Sequence, residues 1–144
     1  MIRKADRGDA RILGELAYRL WPHHTPEEMA GEMADLLEQE DAAAYLAFEG
    51  DEAVGFAQCG LRHDYVEGTE SSPVGYLEGI YVEEEAQGSG TAKALLTACE
   101  KWAREKGCTE FASDCELDNE KSHGFHLHMG FQEAGRIICF TKKL

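Results

Sequence analysis

A glycine-rich turn between a predicted strand and a predicted helix is the part of the sequence best suited to binding an anion. The turn and helix start are Gln87, Gly88, Ser89, Gly90, Thr91 and Ala92. Glycines let the backbone approach a ligand closely, and the free N–H groups and dipole of a helix start favour negative charge. The segment has neither the ending of a Walker loop nor a G-x-G-x-x-G pattern. By itself, a Gly-Ser-Gly run is also compatible with an ordinary turn.

Two carboxylates interrupt otherwise apolar predicted strands and are candidates for acid–base chemistry. Glu78 lies in a predicted strand over residues 74–82 and Asp114 in one over residues 108–117. A carboxylate inside an apolar strand is costly unless it is paired or hydrogen-bonded, and a cationic ligand is one possible pair. The alternative is that either residue pairs with an internal arginine or points to solvent.

The charge of the chain also favours a cationic partner. It has 28 acidic and 14 basic residues and a net charge of −14. From Leu20 to Ala92 there are 17 acids and a single base, Arg62, whereas the rest of the chain has 11 acids and 13 bases. Such a negative field opposes binding to nucleic acids and anionic membranes. The alternative interpretation is a surface that only confers solubility.

The cysteines indicate a reducing environment. The count of five is odd, no pair has C-x-x-C spacing, and no signal peptide precedes them. We therefore expect a cytoplasmic, soluble protein without disulfides, because disulfides persist mainly in oxidising compartments. Cys99 lies on an apolar helical face, and three others lie in strand-like runs, so we expect burial of Cys59, Cys99, Cys115 and Cys139.

The elements that must position these residues fit one domain spanning residues 1–144. Apolar periodicity predicts a mixed α/β fold with the order β-α-α-β-β-β-α-β-α-β and a mostly antiparallel central sheet flanked by helices. The predicted strands are 2–5, 42–48, 53–61, 74–82, 108–117 and 131–141, and the predicted helices are 9–20, 25–39, 90–106 and 119–129. Gly79 inside a strand predicts a bulge or a close backbone approach.

In this element order, the turn resembles the acetyl-coenzyme A pyrophosphate loop of the GNAT family of N-acetyltransferases. The family pattern Gln/Arg-x-x-Gly-x-Gly/Ala is matched by Gln87, Gly90 and Ala92. A second family signature, Asn-x-x-Ala/Ser followed by an aromatic residue and Gly-Phe, is matched by Asn119, Ser122, His126, Gly130 and Phe131. The resemblance covers essentially the whole chain and implies a GNAT fold that uses acetyl-coenzyme A and no metal.

The resemblance also implies where the coenzyme binds. Backbone groups of Ile80, Tyr81 and Val82 would bond the pantetheine arm, and the amides from Gln87 to Ala92 would hold the pyrophosphate. Asn119 would contact the coenzyme near the pantetheine. A main-chain N–H beside a bulge at residues 79–80 would then donate to the thioester carbonyl, where charge develops in the transition state. For residues 80–82, a plain core strand is the compatible alternative.

Several further runs resemble small bacterial aminoglycoside 6′-N-acetyltransferases. They are Leu20-Trp21-Pro22 with His24, Arg62-His63-Asp64-Tyr65-Val66, Ser71-Ser72-Pro73, Leu77-Glu78-Gly79-Ile80 and Ala112-Ser113-Asp114. The resemblance implies an acceptor site built from Trp21, His24, Tyr65, Glu78 and Asp114. It implies direct attack of a 6′-amine of an aminoglycoside on the thioester of acetyl-coenzyme A. Acetylation of the drug in this way would confer antibiotic resistance.

Within that site, Glu78 is the expected general base, acting through water, because an amine must lose a proton before it attacks. Asp114 is expected to orient the amine. For Trp21 the alternatives are a wall for a sugar ring or a core aromatic at a helix end, and His24 bonds either the acceptor or only its own loop.

The sequence departs from the family pattern at two places. Many family members carry Tyr at the position of His126, where it protonates the leaving thiolate; a histidine can do this near neutral pH or can only fill space. Related enzymes can place an acidic residue in the last strand, where it reaches an acceptor across a dimer. Here the last predicted strand offers only Glu133, near its start. The resemblance implies a homodimer, with the apolar run 137–140 as a candidate edge for pairing.

Two other functions compete with this interpretation. The same fold acts on other amines, so the acceptor could be another polyamine, an amino sugar or a peptide amine. A non-catalytic acyl-coenzyme A-binding module belongs to a different class, and Glu78 and Asp114 argue against it only if they share a pocket. No metal site is expected at His123, His126 and His128, because they lack a supporting ligand set.

Overall fold

The computed structural model describes residues 1–144, which form five strands and four α-helices. In chain order they are β1 (Ile2–Lys4), α1 (Ala10–Leu20), α2 (Pro26–Leu37), β2 (Ala42–Glu49), β3 (Glu52–Arg62), β4 (Val74–Val82), α3 (Thr91–Glu105), β5 (Phe111–Ser113) and α4 (Glu120–His128). Short 3-10 helices span Arg7–Asp9 and Glu84–Ala86. No helix has the length and apolar character needed to cross a membrane.

The five strands form one sheet in the order β1-β2-β3-β4-β5. The first three neighbouring pairs are antiparallel, and only β4 and β5 are parallel. A parallel neighbour requires a crossover connection, and α3 provides it. The predicted mixed, mostly antiparallel sheet with flanking helices is therefore confirmed.

Each face of the sheet carries its own apolar core. On one face, α1 and α2 pack with Leu13, Met33 and Leu46 around Phe56, which is fully buried. On the other face, α3 contributes its apolar stripe, and Leu95 is also fully buried. The stripe recurs at three- and four-residue spacing, which is why one face of the helix is covered by the sheet.

The start of α2 follows the predicted capping pattern. Thr25 is the N-cap and its hydroxyl accepts a hydrogen bond from the N–H of Glu28 at 3.1 Å. Pro26 occupies the first helical position, where its missing N–H has no cost.

The end of the chain differs from the sequence prediction. The predicted strand over residues 131–141 does not form, and these residues make no ladder with the sheet. The strand predicted over residues 108–117 is paired only from Phe111 to Ser113. The apolar run 137–140 has strand-like composition, but a strand forms only where its N–H and C=O groups find a partner.

Two local expectations are also wrong. Asp9 is at the N-cap position of α1, but its side chain makes no capping hydrogen bond; its carboxylate accepts from Arg3 at 2.7 and 2.8 Å and from the N–H of Asp6 at 2.8 Å. Cys115 and Cys139 are exposed rather than buried, because the strands predicted around them do not form. Cys59 and Cys99 are buried, as expected.

The Arg3–Asp9 pair attaches β1 to the segment before α1, and it makes stability depend on pH. Asp9 is only 5% exposed, and the Arg3 guanidinium holds the pKa of its carboxyl below the usual range. We expect Asp9→Asn to lower the free energy of unfolding by about 1–3 kcal/mol at pH 7. Since the pKa is lower in the folded state, this contribution is complete above the unfolded pKa of about 3.9 and disappears as the pH falls through the folded value.

Urea unfolding of both proteins between pH 7 and pH 3 measures this difference. The difference in the free energy of unfolding between the wild type and Asp9→Asn should become smaller from about pH 4 downward. Asp35→Asn, at an exposed position of α2, is the control and should stay within about 0.5 kcal/mol of the wild type. A difference between the wild type and Asp9→Asn that is the same at every pH would contradict a stabilising role of the ionised Asp9.

Candidate active site

The site begins where β4 and β5 separate. Their pairing joins Gly75 to Phe111, Tyr76 to Ala112 and Leu77 to Ser113, and β5 then ends. Beyond Leu77, β4 therefore has no strand beside it on that side. Such an unpaired edge can hydrogen-bond an extended ligand in the way that a strand does. The residues predicted to bind pantetheine, Ile80, Tyr81 and Val82, lie on this open stretch.

On its other side, β4 contains a bulge at Glu78. In the pairing with β3, Gly79 faces Gln58 and Leu77 faces Cys59, which leaves Glu78 without a partner. A Cβ on Gly79 would lie 2.6 Å from the indole of Trp21, so only glycine fits there. The bulge predicted at residues 79–80 lies one position earlier, at Glu78, and the close approach predicted from Gly79 is present. Trp21 therefore lies against β4 at Gly79, the residue that follows Glu78.

Both predicted carboxylates belong to one network, in which a cation–π contact joins two hydrogen-bonded pairs. Arg62 Nη2 lies 2.6 Å from Glu78 Oε1 and 3.1 Å from Oε2. The Arg62 Cζ is 3.4 Å from the centroid of the Tyr76 ring, a cation–π contact. The Tyr76 hydroxyl donates to Asp114, which lies just beyond the end of β5 rather than within it. With two carboxylates and one guanidinium, the network has a net charge of −1.

Tyr76 supports this network as a hydrogen-bond donor. It is only 6% exposed. Burial raises the pKa of Tyr76, and the hydrogen bond to Asp114 raises that pKa further. The hydroxyl therefore keeps its proton and remains available to the Asp114 carboxylate.

His126 is held at the point where the two strands part. Its Nδ1 is 2.7 Å from the carbonyl oxygen of Ser122, which only accepts, so Nδ1 carries a proton. Its Nε2 is 2.8 Å from Ser113 Oγ, and that hydroxyl is 3.3 Å from the carbonyl oxygen of Leu77. In the imidazolium form every group in this chain has a matching partner: Nε2–H donates to Ser113, and Ser113 donates to Leu77.

The glycine-rich turn has the geometry of an anion site. Gly88 and Gly90 both have φ of +83°, a conformation that favours glycine. Gly90 is the N-cap of α3 and provides no side-chain cap, so the first amides of the helix remain available. Gln87 Nε2 donates to the carbonyl oxygen of Val82 at 3.0 Å, and Lys121 Nζ lies 3.4 Å from Gln87 Oε1. The turn is thus attached to β4 and has a cation beside it.

The remaining predicted site residues are Asn119, His24 and Tyr65. Asn119 is the N-cap of α4, and its Oδ1 accepts from the N–H of Ser122 at 3.0 Å. His24 is half-buried, with Nδ1 3.4 Å from Glu28 Oε2. Tyr65 is 77% exposed on the loop between β3 and β4. The structure thus gathers Trp21 and the carboxylate network at β4 but does not bring Tyr65 into it.

Three residues of the site were missed by sequence reasoning, namely Arg62, Tyr76 and Ser113. Arg62 had a signal, because it is the single base of the acidic segment 20–92. Tyr76 resembles an ordinary core aromatic in a strand, and a lone serine at a strand end has no distinguishing pattern.

A cavity of about 640 Å³ between α1 and the β2–β3 hairpin contains none of the predicted site residues. Its charged lining is dominated by carboxylates, with Arg19 as the base, and comprises Glu15, Arg19, Glu49, Asp51, Glu52, Glu83 and Glu85. It is therefore unsuited to an anionic coenzyme. A smaller cavity of about 210 Å³ is lined by Ser89, Gly90 and Thr91 of the turn.

Comparison with known proteins decides the family. A model of the acetyltransferase (GNAT) family matches residues 11–131. The chain belongs to the GNAT family. The resemblance implied coenzyme contacts for residues 80–82 and 87–92, which lie on the open edge of β4 and at the turn before α3.

Among its GNAT relatives are enzymes that modify aminoglycosides. Aminoglycoside N(6′)-acetyltransferase type 1 of Stenotrophomonas maltophilia is 44% identical over 99% of this chain and 93% of that protein. The enzyme of the same name from Acinetobacter haemolyticus is 40% identical over 99% of this chain and 98% of that protein.

Solved structures of such enzymes superimpose closely on this GNAT chain. Aminoglycoside N-acetyltransferase AAC(6′)-Iy in complex with coenzyme A has a TM-score of 0.96 and 35% identity, covering 100% of this chain and 95% of that chain. The same enzyme with a bisubstrate analogue of coenzyme A and acetylneamine has a TM-score of 0.95 and 35% identity, covering 100% of this chain and 98% of that chain. The expected kinship with aminoglycoside 6′-N-acetyltransferases is confirmed.

Proposed function

We propose that this protein transfers the acetyl group of acetyl-coenzyme A to the 6′-amino group of aminoglycosides, and so confers resistance to them. The observation that carries the proposal is the joined carboxylate network of Glu78 and Asp114 beside the open edge of β4. Aminoglycosides are polycations, and carboxylates are the groups that such acceptors require. The relatives described above are named for this activity.

Acetyl-coenzyme A would bind along β4 and the turn. Its pantetheine arm would pair with the backbone of residues 80–82, and its pyrophosphate would lie on the amides from Gln87 to Ala92. These amides, together with the helix dipole, allow a protein of net charge −14 to bind an anion. Asn119 would contact the coenzyme from the start of α4 through the amide nitrogen that its cap leaves available.

The acceptor would lie against the carboxylate network and Trp21. Asp114 would bind and orient the ammonium group, and Glu78, through water, would take up the proton that the amine loses. His24 and Tyr65 would contact the sugar rings from the two segments that border the network. The bulge leaves Glu78 without a residue opposite it on β3.

The reaction would proceed by direct attack. The amine nitrogen forms a bond to the thioester carbon, the carbon–sulfur bond breaks, and the sulfur takes a proton from His126. A main-chain N–H of residues 79–80 donates to the carbonyl oxygen while it carries negative charge. The hydrogen-bond chain from Ser122 through His126 to Ser113 supports the assignment of His126, because it accommodates the protonated ring.

We also propose that the protein acts as a homodimer in the cytoplasm. Ile137, Ile138 and Phe140 are 76%, 81% and 87% exposed, and contiguous apolar surface of this kind marks an interface. The segment is free of strand pairing and can add to an edge of a second copy. The five free cysteines suit a reducing compartment.

An acetyl-transfer assay tests the proposed activity. We expect turnover of neomycin but not of paromomycin, since these differ only in a 6′-amine against a 6′-hydroxyl, and little turnover of spermidine or a model peptide. Glu78→Gln should lower kcat by about 100-fold or more without changing coenzyme binding, because it removes the base. Glu40→Gln removes an exposed carboxylate outside the site and is the matched control. If neomycin is inert while spermidine or the peptide is acetylated, the acceptor is another amine.

The role of His126 has its own test. We expect His126→Phe to lower kcat by at least about tenfold, because the leaving sulfur loses its proton donor, while the KM for acetyl-coenzyme A stays within about twofold. His128→Phe, at an exposed position of the same helix, should have wild-type kinetics. If kcat of His126→Phe equals that of the wild type, His126 only fills space.

Light scattering after gel filtration tests the dimer. The wild type should elute with twice the mass of the chain. Ile138→Glu should shift it to the monomer mass, because the charge would be buried at the interface. Lys142→Glu, which changes the charge of the same segment at an exposed polar position, should remain a dimer. A wild type of monomer mass at all concentrations tested would contradict the proposal.

A further inference from the structure

Arg62 has a place in the site that the proposed function does not explain. It is the single base among 17 acids between Leu20 and Ala92, and its guanidinium binds the proposed general base, Glu78. Of those 17 acids, Glu78 is the one that Arg62 binds, and the other 16 make no ion pair with it. A residue retained only to balance the charge of the segment would not need to contact this carboxylate.

The contact has the form that an ammonium group would make. Paired guanidinium and carboxylate groups commonly use two nitrogens in a fork. Here a single nitrogen, Nη2, lies between the two oxygens of Glu78, at 2.6 and 3.1 Å. A primary ammonium group would bridge the carboxylate in the same way, with one nitrogen and two N–H donors.

The side chain of Arg62 is also able to move away from Glu78. It is the last residue of β3 and is followed by the loop to β4, and its side chain is 45% exposed. Its stacking on Tyr76 defines one resting position, but nothing encloses the guanidinium. Moving into water costs an arginine at such a position little, since ion pairs exposed to solvent contribute little to stability.

We propose that Arg62 occupies, in the free protein, the position at Glu78 that an ammonium group of the acceptor takes in the complex. Binding of the acceptor is then an exchange of one cation for another. This inference rests on the proposed acceptor site. With Arg62 in place the network has a charge of −1, and after Arg62 leaves it has a charge of −2. An acceptor with one ammonium group returns the network to a charge of −1, whereas an acceptor with two neutralises it. The exchange for Arg62 thereby favours polycationic acceptors.

Steady-state kinetics of neutral Arg62 variants test the exchange. In Arg62→Met and Arg62→Gln the competing cation is absent, so the KM for neomycin should fall about threefold to tenfold, with a smaller change in kcat. Arg62→Lys keeps a cation beside Glu78, and its KM should stay above that of both neutral variants. Arg19→Met changes the net charge equally but outside the site, and its KM for neomycin should match the wild type.

Added guanidinium chloride, at concentrations far below those that denature proteins, supplies a further readout. It should raise the KM of Arg62→Met toward the wild-type value, whereas sodium chloride of equal ionic strength should not. A purely structural role of Arg62 predicts no such effect.

The proposal is overturned if either neutral variant, folded by its thermal midpoint, has an unchanged or raised KM, or if the loss is confined to kcat. Those results would mean that Arg62 stays on Glu78 and positions it. Absence of neomycin turnover by the wild type would instead overturn the proposed function, so the two failures are distinguishable.

Discussion

The parallel pairing of β4 and β5 lasts for three residues, and the rest of the site depends on where it stops. The last pair joins Leu77 to Ser113. The next residue along the chain is in each case a carboxylate, Glu78 within β4 and Asp114 just beyond the end of β5. The same end point leaves the edge of β4 unpaired, and Ser113, the last residue of β5, anchors His126. The end of one short ladder therefore fixes the positions of the residues proposed as base, orienting carboxylate and proton donor.

The two proposed substrate sites have opposite electrostatic character. At the turn before α3 the backbone amides are free of a side-chain cap and favour an anion. At β4 the charge is set by two carboxylates and Arg62 and favours a cation. Because the amides carry only partial charges, the turn does not cancel the field of the acidic segment. An acidic protein can thus hold an anion and a cation side by side.

The last segment of the chain shows a different constraint. Phe131 packs on Phe111 and His126, with ring centroids 6.3 and 5.0 Å apart, so the segment begins against the site. Ala134 then lies against Gly68, on the loop before β4. Beyond this point the apolar side chains of Ile137, Ile138 and Phe140 are exposed.

The sequence alone determined the order of the first nine elements and the glycine-rich turn, because these follow from local periodicity, capping and backbone freedom, and the resemblance of its motifs indicated the family. Thr25 and Pro26 start a helix wherever they stand before an apolar stripe, and Gly90 permits a turn that other residues resist. It also singled out Glu78, Asp114 and His126 as chemistry-bearing residues. Their partners were decided only by the tertiary structure. Arg62 and Tyr76 are 14 positions apart and meet the carboxylates through strand register, and Ser113 meets His126 through the packing of α4. The prediction of a final strand was wrong for the same reason. The composition of residues 137–140 favours a strand, but a strand needs a partner edge, and only the three-dimensional arrangement, within one chain or between two, supplies that edge.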